Sequence, residues 1–300
     1  MKEKLTPPII GIILTLILSG CTSTGGQRAD QRPTDEMGNI VLVDPGPADF
    51  RNQMALARYS HILAEAENIT TDQKAELLYR RGELYDRMGM RVLARFDFDS
   101  ALKLKPDMAE AHNFVGIHHT QNGNYVEAYD AFDSTLEIDP EHDFALLNRG
   151  IALYYGGRPG LATNDIEEFY GRDPTDPYRA LWYYIIERAN DSEKALAFLS
   201  IARLRLSNNN WASQIVDFYL GEVTEEELLD NTVSGASSQE ELADRLCEVY
   251  FYLGKYHSAR SKFGKAKNYF KLTLSTNVYE YVEHRYARVE LNLLREQQIN

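Results

Sequence analysis

Residues able to do chemistry are few in this sequence and widely spaced. The 300 residues include seven histidines and two cysteines. His112 and His119 lie two helical turns apart and could share a face with Glu110 or Asp86, but a zinc site needs a third ligand at the right distance. We therefore expect partly buried, hydrogen-bonded histidines rather than a metal site. Cys247 is expected to lie on a helix as a small buried side chain.

Neither the motifs nor the charge favour catalysis or nucleic-acid binding. The sequence has no HExxH, GxSxG or P-loop motif and no GxGxxG motif that accompanies a strand. Acidic runs such as Glu225 to Glu227 suit the first turn of a helix, where the dipole favours negative charge. The net charge of −13 is typical of a solvated helical surface and argues against a general nucleic-acid binder. We expect no catalytic residue, metal or cofactor.

A repeat of 34 residues organises the middle of the chain. Glycine, alanine, an aromatic or isoleucine, and proline recur in the same order. The repeated positions are Gly82, Gly116, Gly150; Ala94, Ala128, Ala162; Phe98, Phe132, Ile166; and Pro106, Pro140, Pro174. Small residues let the two helices of a repeat approach closely, the aromatics fill the gap between neighbouring repeats, and proline ends the second helix. This is the tetratricopeptide (TPR) pattern, with one helix–turn–helix per repeat.

The segments outside the repeats either anchor this array or extend it. The 44% hydrophobic content is enough for a sizeable core. The predicted fold is all-α, a TPR superhelix of stacked helical hairpins. A fourth repeat is indicated by Gly254, Ala266 and Phe270, whose offsets of 12 and 16 match the earlier repeats. The predicted segments are a signal peptide at 1–20, a tether at 21–47, a leading helix at 48–70, repeats 1–3 at 71–174, degenerate TPR-like helices at 175–237, repeat 4 at 238–277, and a capping helix and tail at 278–300.

The N-terminus predicts a lipid anchor. Ile9 to Leu18 is an apolar run too short to span a bilayer, which needs about 20 residues, and it is typical of a signal peptide. The following Leu18-Ser19-Gly20-Cys21 resembles a bacterial lipobox, in which cleavage before Cys21 is followed by lipidation of that residue. Several acyl chains on one residue would hold the chain firmly at a membrane surface. Thr22 stands where such lipoproteins carry an aspartate for inner-membrane retention, so the resemblance implies the outer membrane.

Taken together, these features resemble the NlpI-type TPR lipoproteins of the gammaproteobacterial outer membrane. The resemblance rests on LNRGIALYYGGR (147–158), DPTDPYRALW (173–182), FYLGKY (251–256) and VEHRYARVEL (282–291). It implies a homodimeric, non-enzymatic adaptor facing the periplasm. The resemblance also implies its partners, a periplasmic processing protease of the Prc type and peptidoglycan hydrolases, notably a MepS-type endopeptidase. An adaptor of this kind would regulate cell-wall hydrolase levels and cell division.

The partner is expected on the concave face, which the first helix of each repeat lines. This prediction names the following residues: Glu76, Tyr79, Glu83, Asn113, Ile117, Phe144, Leu147, Asn148, Ile151, Tyr154 and Tyr155. The groove would run from acidic to apolar and aromatic, which suits a peptide with apolar anchors and basic flanks. It lacks the basic residues of a carboxylate clamp, and inter-helix packing is an equally good explanation for Phe144, Leu147 and Ile151.

Other interpretations remain open at this stage. A pilotin-like lipoprotein that assembles outer-membrane machinery has a similar lipobox and similar repeats, and an enzyme is the least favoured alternative. The first candidate for a dimer interface is the leading helix near Met54 to Leu63, because an apolar terminal helix can be exchanged between chains.

Overall fold

The computed structural model describes Met37 and residues 40–46, 49–65 and 67–296. The predicted signal peptide at 1–20, the lipidation site Cys21 and most of the tether lie outside the described residues. None of the described helices is long and apolar enough to cross a membrane.

The described part of the chain is helical throughout and contains no strand. Its helices, in chain order, are α1 (Phe50–Glu65), α2 (Thr71–Arg87), α3 (Arg91–Leu104), α4 (Ala109–Gln121), α5 (Tyr125–Ile138), α6 (Asp143–Tyr155), α7 (Pro159–Arg172), α8 (Pro177–Asn190), α9 (Ser192–Arg203), α10 (Ser213–Leu220), α11 (Glu225–Ser234), α12 (Gln239–Ser258), α13 (Phe263–Ser275) and α14 (Val282–Glu296). Each helix from α1 to α9 packs on the next, as expected of stacked hairpins. The all-α TPR superhelix predicted from the repeat is confirmed.

Local sequence signals set the helix boundaries. At the start of α2, the Thr70 hydroxyl accepts from Gln73 N at 3.1 Å and the Gln73 side chain accepts from Thr70 N at 2.9 Å. Thr224 and Glu227 form the same reciprocal cap on α11. Each box satisfies backbone N–H groups that the first turn of its helix leaves without an intrahelical partner. Helices α3, α5 and α7 each end two residues before the repeated proline, as its missing N–H requires.

The repeated glycine and the repeated phenylalanine contact each other inside repeats 1 and 2. A methyl group added at Gly116 would lie 2.6 Å from Cε1 of Phe132, and one added at Gly82 would lie 2.7 Å from Phe98. The Phe98 ring also stacks on Phe114 of the next repeat, with centroids 4.8 Å apart. The Phe98 ring therefore packs both between the two helices of its own hairpin and against the next repeat. At Gly150 the nearest atoms would be 3.7 Å away, because Ile166 does not reach as far as a phenyl ring.

The last helix does more than cap the stack. Helix α14 packs on α12 and α13, and it also returns to α4 in repeat 2. Both apolar and charged side chains of α14 are buried, including Tyr286, Leu291 and Glu290. The predicted capping helix therefore also packs into the body of the protein, and its buried residues include Glu283, His284 and Glu290.

Helix α1 is the least buried part of the described body. It packs on α2 but contributes no fully buried residue. The sequence-based idea that it forms a dimer interface stays a prediction.

A pair of buried acids lies between α12 and α14. Burial and the neighbouring charge of Glu283 raise the pKa of Glu248 to about 9. Burial likewise raises the pKa of Glu283, which accepts a hydrogen bond from the Tyr252 hydroxyl at 2.9 Å. Two carboxylates in one apolar interface cannot both ionise cheaply, so the folded protein keeps a proton here.

The glycine contacts give a matched pair of substitutions. Gly116→Ala should lower the free energy of unfolding by about 1–3 kcal/mol, because the new methyl group overlaps the Phe132 ring. Gly150→Ala occupies the same repeat position, but its new methyl group would meet its neighbours at an ordinary contact distance of 3.7 Å, so it should be neutral or stabilise by up to about 1 kcal/mol. Urea unfolding of both variants measures this difference, and equal effects would show that the ring contact does not set the cost.

The buried acid pair predicts a pH dependence. The unfolded chain releases the Glu248 proton near its ordinary pKa, whereas the folded chain holds it up to about pH 9. Stability therefore falls as pH rises through this window, by up to about 1.4 kcal/mol per pH unit for one proton. Glu248→Gln should flatten the fall between pH 5 and 8, measured by urea unfolding at each pH. The exposed Glu226→Gln is the control, and an unchanged slope in Glu248→Gln would contradict the assignment.

Candidate functional site

The predicted partner-binding residues occupy three different environments. Exposed or half-buried positions at the front of the groove are Glu76, Glu83 and Phe144. Buried positions are Tyr79, Asn113, Ile117, Leu147, Asn148 and Ile151. Half-buried positions at the inner end are Tyr154 and Tyr155. Whether any of them binds a partner remains a prediction.

The front of the groove is acidic with an apolar edge. Arg80 lies between two acids, with its Nε 2.7 Å from Glu76 and its Nη1 3.1 Å from Glu83. Burial, followed by the charges of Glu83 and Glu110, raises the pKa of the Tyr79 hydroxyl. The Phe144 side chain, in the first turn of α6, is 59% exposed. The predicted order from acidic residues in repeat 1 to an apolar residue in repeat 3 concerns partner binding and stays a prediction.

The middle of the groove is core rather than contact surface. Asn148 donates to the Asn113 side chain at 3.0 Å, in a buried hydrogen bond that joins α6 to α4. Ile117, Leu147 and Ile151 are almost completely buried. Their helical positions face neighbouring helices rather than the open groove. The structure thus gives packing, the alternative explanation, for Leu147 and Ile151, and extends it to Ile117 and the two asparagines.

The chain's own C-terminal helix fills the inner end of the groove. Asp86 at the end of α2 accepts from His118 at 2.8 Å and from Arg285 of α14 at 2.6 Å. Burial acts to raise the pKa of Asp86, but His118 and Arg285 outweigh it and hold the pKa below its usual value. The Tyr155 ring stacks on Tyr286 with centroids 5.4 Å apart. A peptide cannot occupy this part of the groove while α14 is there.

A second ion-pair cluster joins α14 to the third repeat. Lys255 Nζ of α12 lies 2.5 Å from Glu290 of α14 and donates to the Tyr154 hydroxyl at 2.9 Å. The Tyr155 hydroxyl donates to Glu290 at 2.8 Å. Burial works to lower the pKa of Lys255, but the charge of Glu290 and the hydrogen bonds more than offset it, so the amine stays charged. Both predicted tyrosines thus act as hydrogen-bonding partners of the C-terminal helices.

Beside this cluster lies a cavity of about 490 Å³, which we call the tyrosine pocket. Its lining comes from the ends of α6, α8, α10, α12 and α14 and from the turns that follow α6 and α12. The lining residues used below are Tyr184, Tyr219, Tyr256, Arg188, Arg260 and Lys255. Sequence reasoning missed all six, because it considered only the first helices of repeats 1–3. The available signal was the presence of basic residues in the aromatic-rich segments FYLGKY and DPYRALWYYIIER.

The residues considered for metal chemistry lie apart. His112 contacts the Pro106 carbonyl at 2.8 Å, whereas His119 contacts Arg95 at 2.7 Å. Among the described residues, no group of three His, Cys, Asp or Glu could hold a metal ion. Cys247 is fully buried, and burial raises its thiol pKa. The prediction of a small buried side chain at Cys247 is confirmed.

Two arginine–aspartate pairs hold helix hairpins together and escaped the sequence analysis. Arg81 contacts Asp97 at 2.6 and 2.7 Å in repeat 1, and Arg149 contacts Asp165 at 2.8 and 2.7 Å in repeat 3. Repeat 2 has Val115 and Ala131 at these positions. The 34-residue spacing of the two pairs was the signal that could have revealed them.

Comparisons with known proteins agree with this architecture. A family model described as tetratricopeptide repeat matches residues 79–143. The fold is similar to a tetratricopeptide repeat protein from Parabacteroides merdae, at 17% identity and a TM-score of 0.52, covering 81% of this chain and 92% of that chain. The C-terminal part of a TPR repeat-containing protein from Cytophaga hutchinsonii matches at 16% identity and a TM-score of 0.47, over 75% and 90% of the two chains.

A third similar structure is YrrB, described as a TPR protein with an unusual peptide-binding site. It is 15% identical with a TM-score of 0.43, over 74% of this chain and 93% of that chain. At these identities the likeness to solved structures concerns the fold alone. The repeated positions and the helix order show a fold of stacked TPR hairpins, and residues 79–143 of it match the tetratricopeptide-repeat model.

Proposed function

We propose that the chain is an outer-membrane-anchored periplasmic adaptor. It brings a Prc-type processing protease together with a peptidoglycan hydrolase, such as a MepS-type endopeptidase, and so regulates hydrolase levels and cell division. The anchor would be the lipid on Cys21, and the adaptor itself would cleave nothing. The resemblance to NlpI-type lipoproteins supplies the identity of these partners.

The observation that carries the proposal is a pair of exposed apolar surfaces on opposite edges of the repeat array. One is Phe144 in the first turn of α6, at the front of the groove. The other, which we call the outer ridge, is formed by the first two turns of α3 and the first turns of α5 and α7. It consists of Val92, Leu93, Phe96, Val126 and Leu161, all of which are exposed.

The placement of these two surfaces follows from the hairpin geometry. The two helices of a repeat are antiparallel, so the first turn of the first helix and the first turn of the second lie at opposite ends of the hairpin. An adaptor must hold two proteins without making them compete for one surface. Exposed apolar patches are typical of protein interaction sites, and holding two partners on one scaffold raises their local concentration.

The test is a reconstituted cleavage assay. Protein from residue 48 onward, added to purified Prc-type protease and MepS-type hydrolase, should speed loss of the intact hydrolase and should cleave nothing when the protease is left out. Gel electrophoresis over time measures the rate. An unchanged rate across a range of adaptor concentrations would contradict the proposal.

Two variants of similar exposure separate the surfaces in the same assay. Phe144→Ser and Leu161→Ser change side chains that are 59% and 61% exposed, so both proteins should fold normally. Each should weaken binding of a different partner by about tenfold, as loss of an interface anchor does. Two-component binding measurements with each partner assign the surfaces. If neither variant weakens either partner, the two surfaces have no role in the adaptor.

A further inference from the structure

The tyrosine pocket has the size of a ligand site. Its volume of about 490 Å³ falls within the range of about 300–1,000 Å³ that is common for such sites. It lies at the inner end of the predicted concave face, where Tyr154 and Tyr155 line it, next to the Lys255–Glu290 ion pair. The room is sufficient for the last few residues of a peptide.

One wall of the tyrosine pocket is aromatic and apolar. Tyr184 and Tyr219 meet edge to face with centroids 5.3 Å apart, and Tyr219 meets Tyr256 at 5.5 Å. The Tyr219 hydroxyl is occupied, because it donates to the Tyr252 carbonyl at 2.7 Å. Leu293 and Leu294 of α14 complete the lining on the other side. Such a wall can accept a large apolar side chain.

The rim of the tyrosine pocket is cationic. Within the described part of the chain, Arg188 donates only to the Ala259 carbonyl, at 3.1 Å. Arg260 donates to the Tyr256 carbonyl at 3.2 Å while lying over the Tyr256 ring. Neither guanidinium has a carboxylate within ion-pair distance among the described residues, unlike Arg81, Arg149 and Arg285.

The remaining charges of the lining do not cancel these two. Lys255 is matched by Glu290, which is the only carboxylate among the described residues that line the pocket. Arg188 and Arg260 both act electrostatically on Tyr219, which places their positive charge at the aromatic wall. The pocket therefore carries a local excess of positive charge in a chain whose net charge is −13.

A carboxylate joined to a bulky apolar group complements both halves of the pocket. A guanidinium presents paired N–H donors that match a carboxylate. A small inorganic anion would leave the aromatic wall unfilled. An internal peptide segment would need an acidic residue beside a large apolar one to meet both halves of the pocket. The C-terminal residue of a polypeptide carries a carboxylate and a side chain on the same carbon atom.

We propose that the tyrosine pocket binds the free C-terminus of a partner polypeptide whose last residue is large and apolar. Arg188 and Arg260 hold the carboxylate, and the last side chain packs against Tyr184, Tyr219 and Tyr256. This inference rests on the proposed adaptor function, because it names what part of a partner is recognised. It is tested by direct binding, which needs no protease.

The experiment uses fluorescein-labelled short Gly/Ser peptides ending in Leu-Phe, with either a free carboxylate or a carboxamide, and a third ending in Ser-Ser with a free carboxylate. Fluorescence anisotropy with the purified protein should give saturable binding of the Leu-Phe acid. The carboxamide should bind about tenfold more weakly or worse, because the charge-assisted hydrogen bonds are lost. The Ser-Ser acid should also bind weakly, because it leaves the aromatic wall unfilled.

Variants locate the binding site. Arg188→Gln and Arg260→Gln should each weaken binding of the Leu-Phe acid about tenfold. The affinity for the acid should then be close to the affinity for the carboxamide. Arg158→Gln is the matched control, since this exposed arginine stacks on Tyr129 and does not line the pocket. Circular dichroism melting checks that all three variants fold.

The inference would be overturned by equal affinity for the acid and the carboxamide, or by no saturable binding of any peptide. It would also be overturned if Arg158→Gln lost as much affinity for the Leu-Phe acid as Arg188→Gln. Peptide binding without faster hydrolase cleavage would instead refute the proposed adaptor function alone. Faster cleavage that survives in the Arg188→Gln, Arg260→Gln double variant, together with no preference for the acid, would refute this inference alone.

Discussion

The return of α14 into the superhelix is the interaction on which the rest of the structure depends. A TPR stack normally leaves its concave face open, but here two ion-pair clusters fasten the last helix across it. Arg285 in the first turn of α14 pairs with Asp86, and Glu290 near the middle of the helix pairs with Lys255. A buried charge is costly unless it is paired. Removing one partner would leave the other charge buried and unpaired, with its desolvation cost uncompensated. The groove and the C-terminal helices therefore form one unit.

This closure decides which surfaces are left for partners. The inner groove is filled and its middle is core, so the surfaces that we propose for partners are the front edge at Phe144, the outer ridge and the tyrosine pocket. The pocket depends on α14 lying beside the third repeat, since Leu293 and Leu294 form part of its lining. The helix that blocks a general peptide groove thus helps to form the smaller site that we propose.

The sequence predicted the fold well and the site only in part. The spacing of Gly82, Gly116 and Gly150 repeats a local property of each hairpin, so the repeats followed directly from it, and the prolines that follow gave the ends of the second helices. The direction of α14 depends on contacts with residues about 200 positions earlier, such as Arg285 with Asp86, and no local pattern encodes such a pairing. For the same reason Tyr154 and Tyr155 were identified as important, but their partners Lys255 and Glu290 were not.

The central claim is that α14 stays in place when a partner binds elsewhere on the surface. Hydrogen–deuterium exchange of the purified protein, alone and with the MepS-type hydrolase, tests it most directly. We predict that the amides of α14 are strongly protected in both states, and that new protection appears at the first turn of α6, at the outer ridge or at the turn after α12. Loss of protection in α14 on binding would show that the partner displaces the helix and would contradict the account.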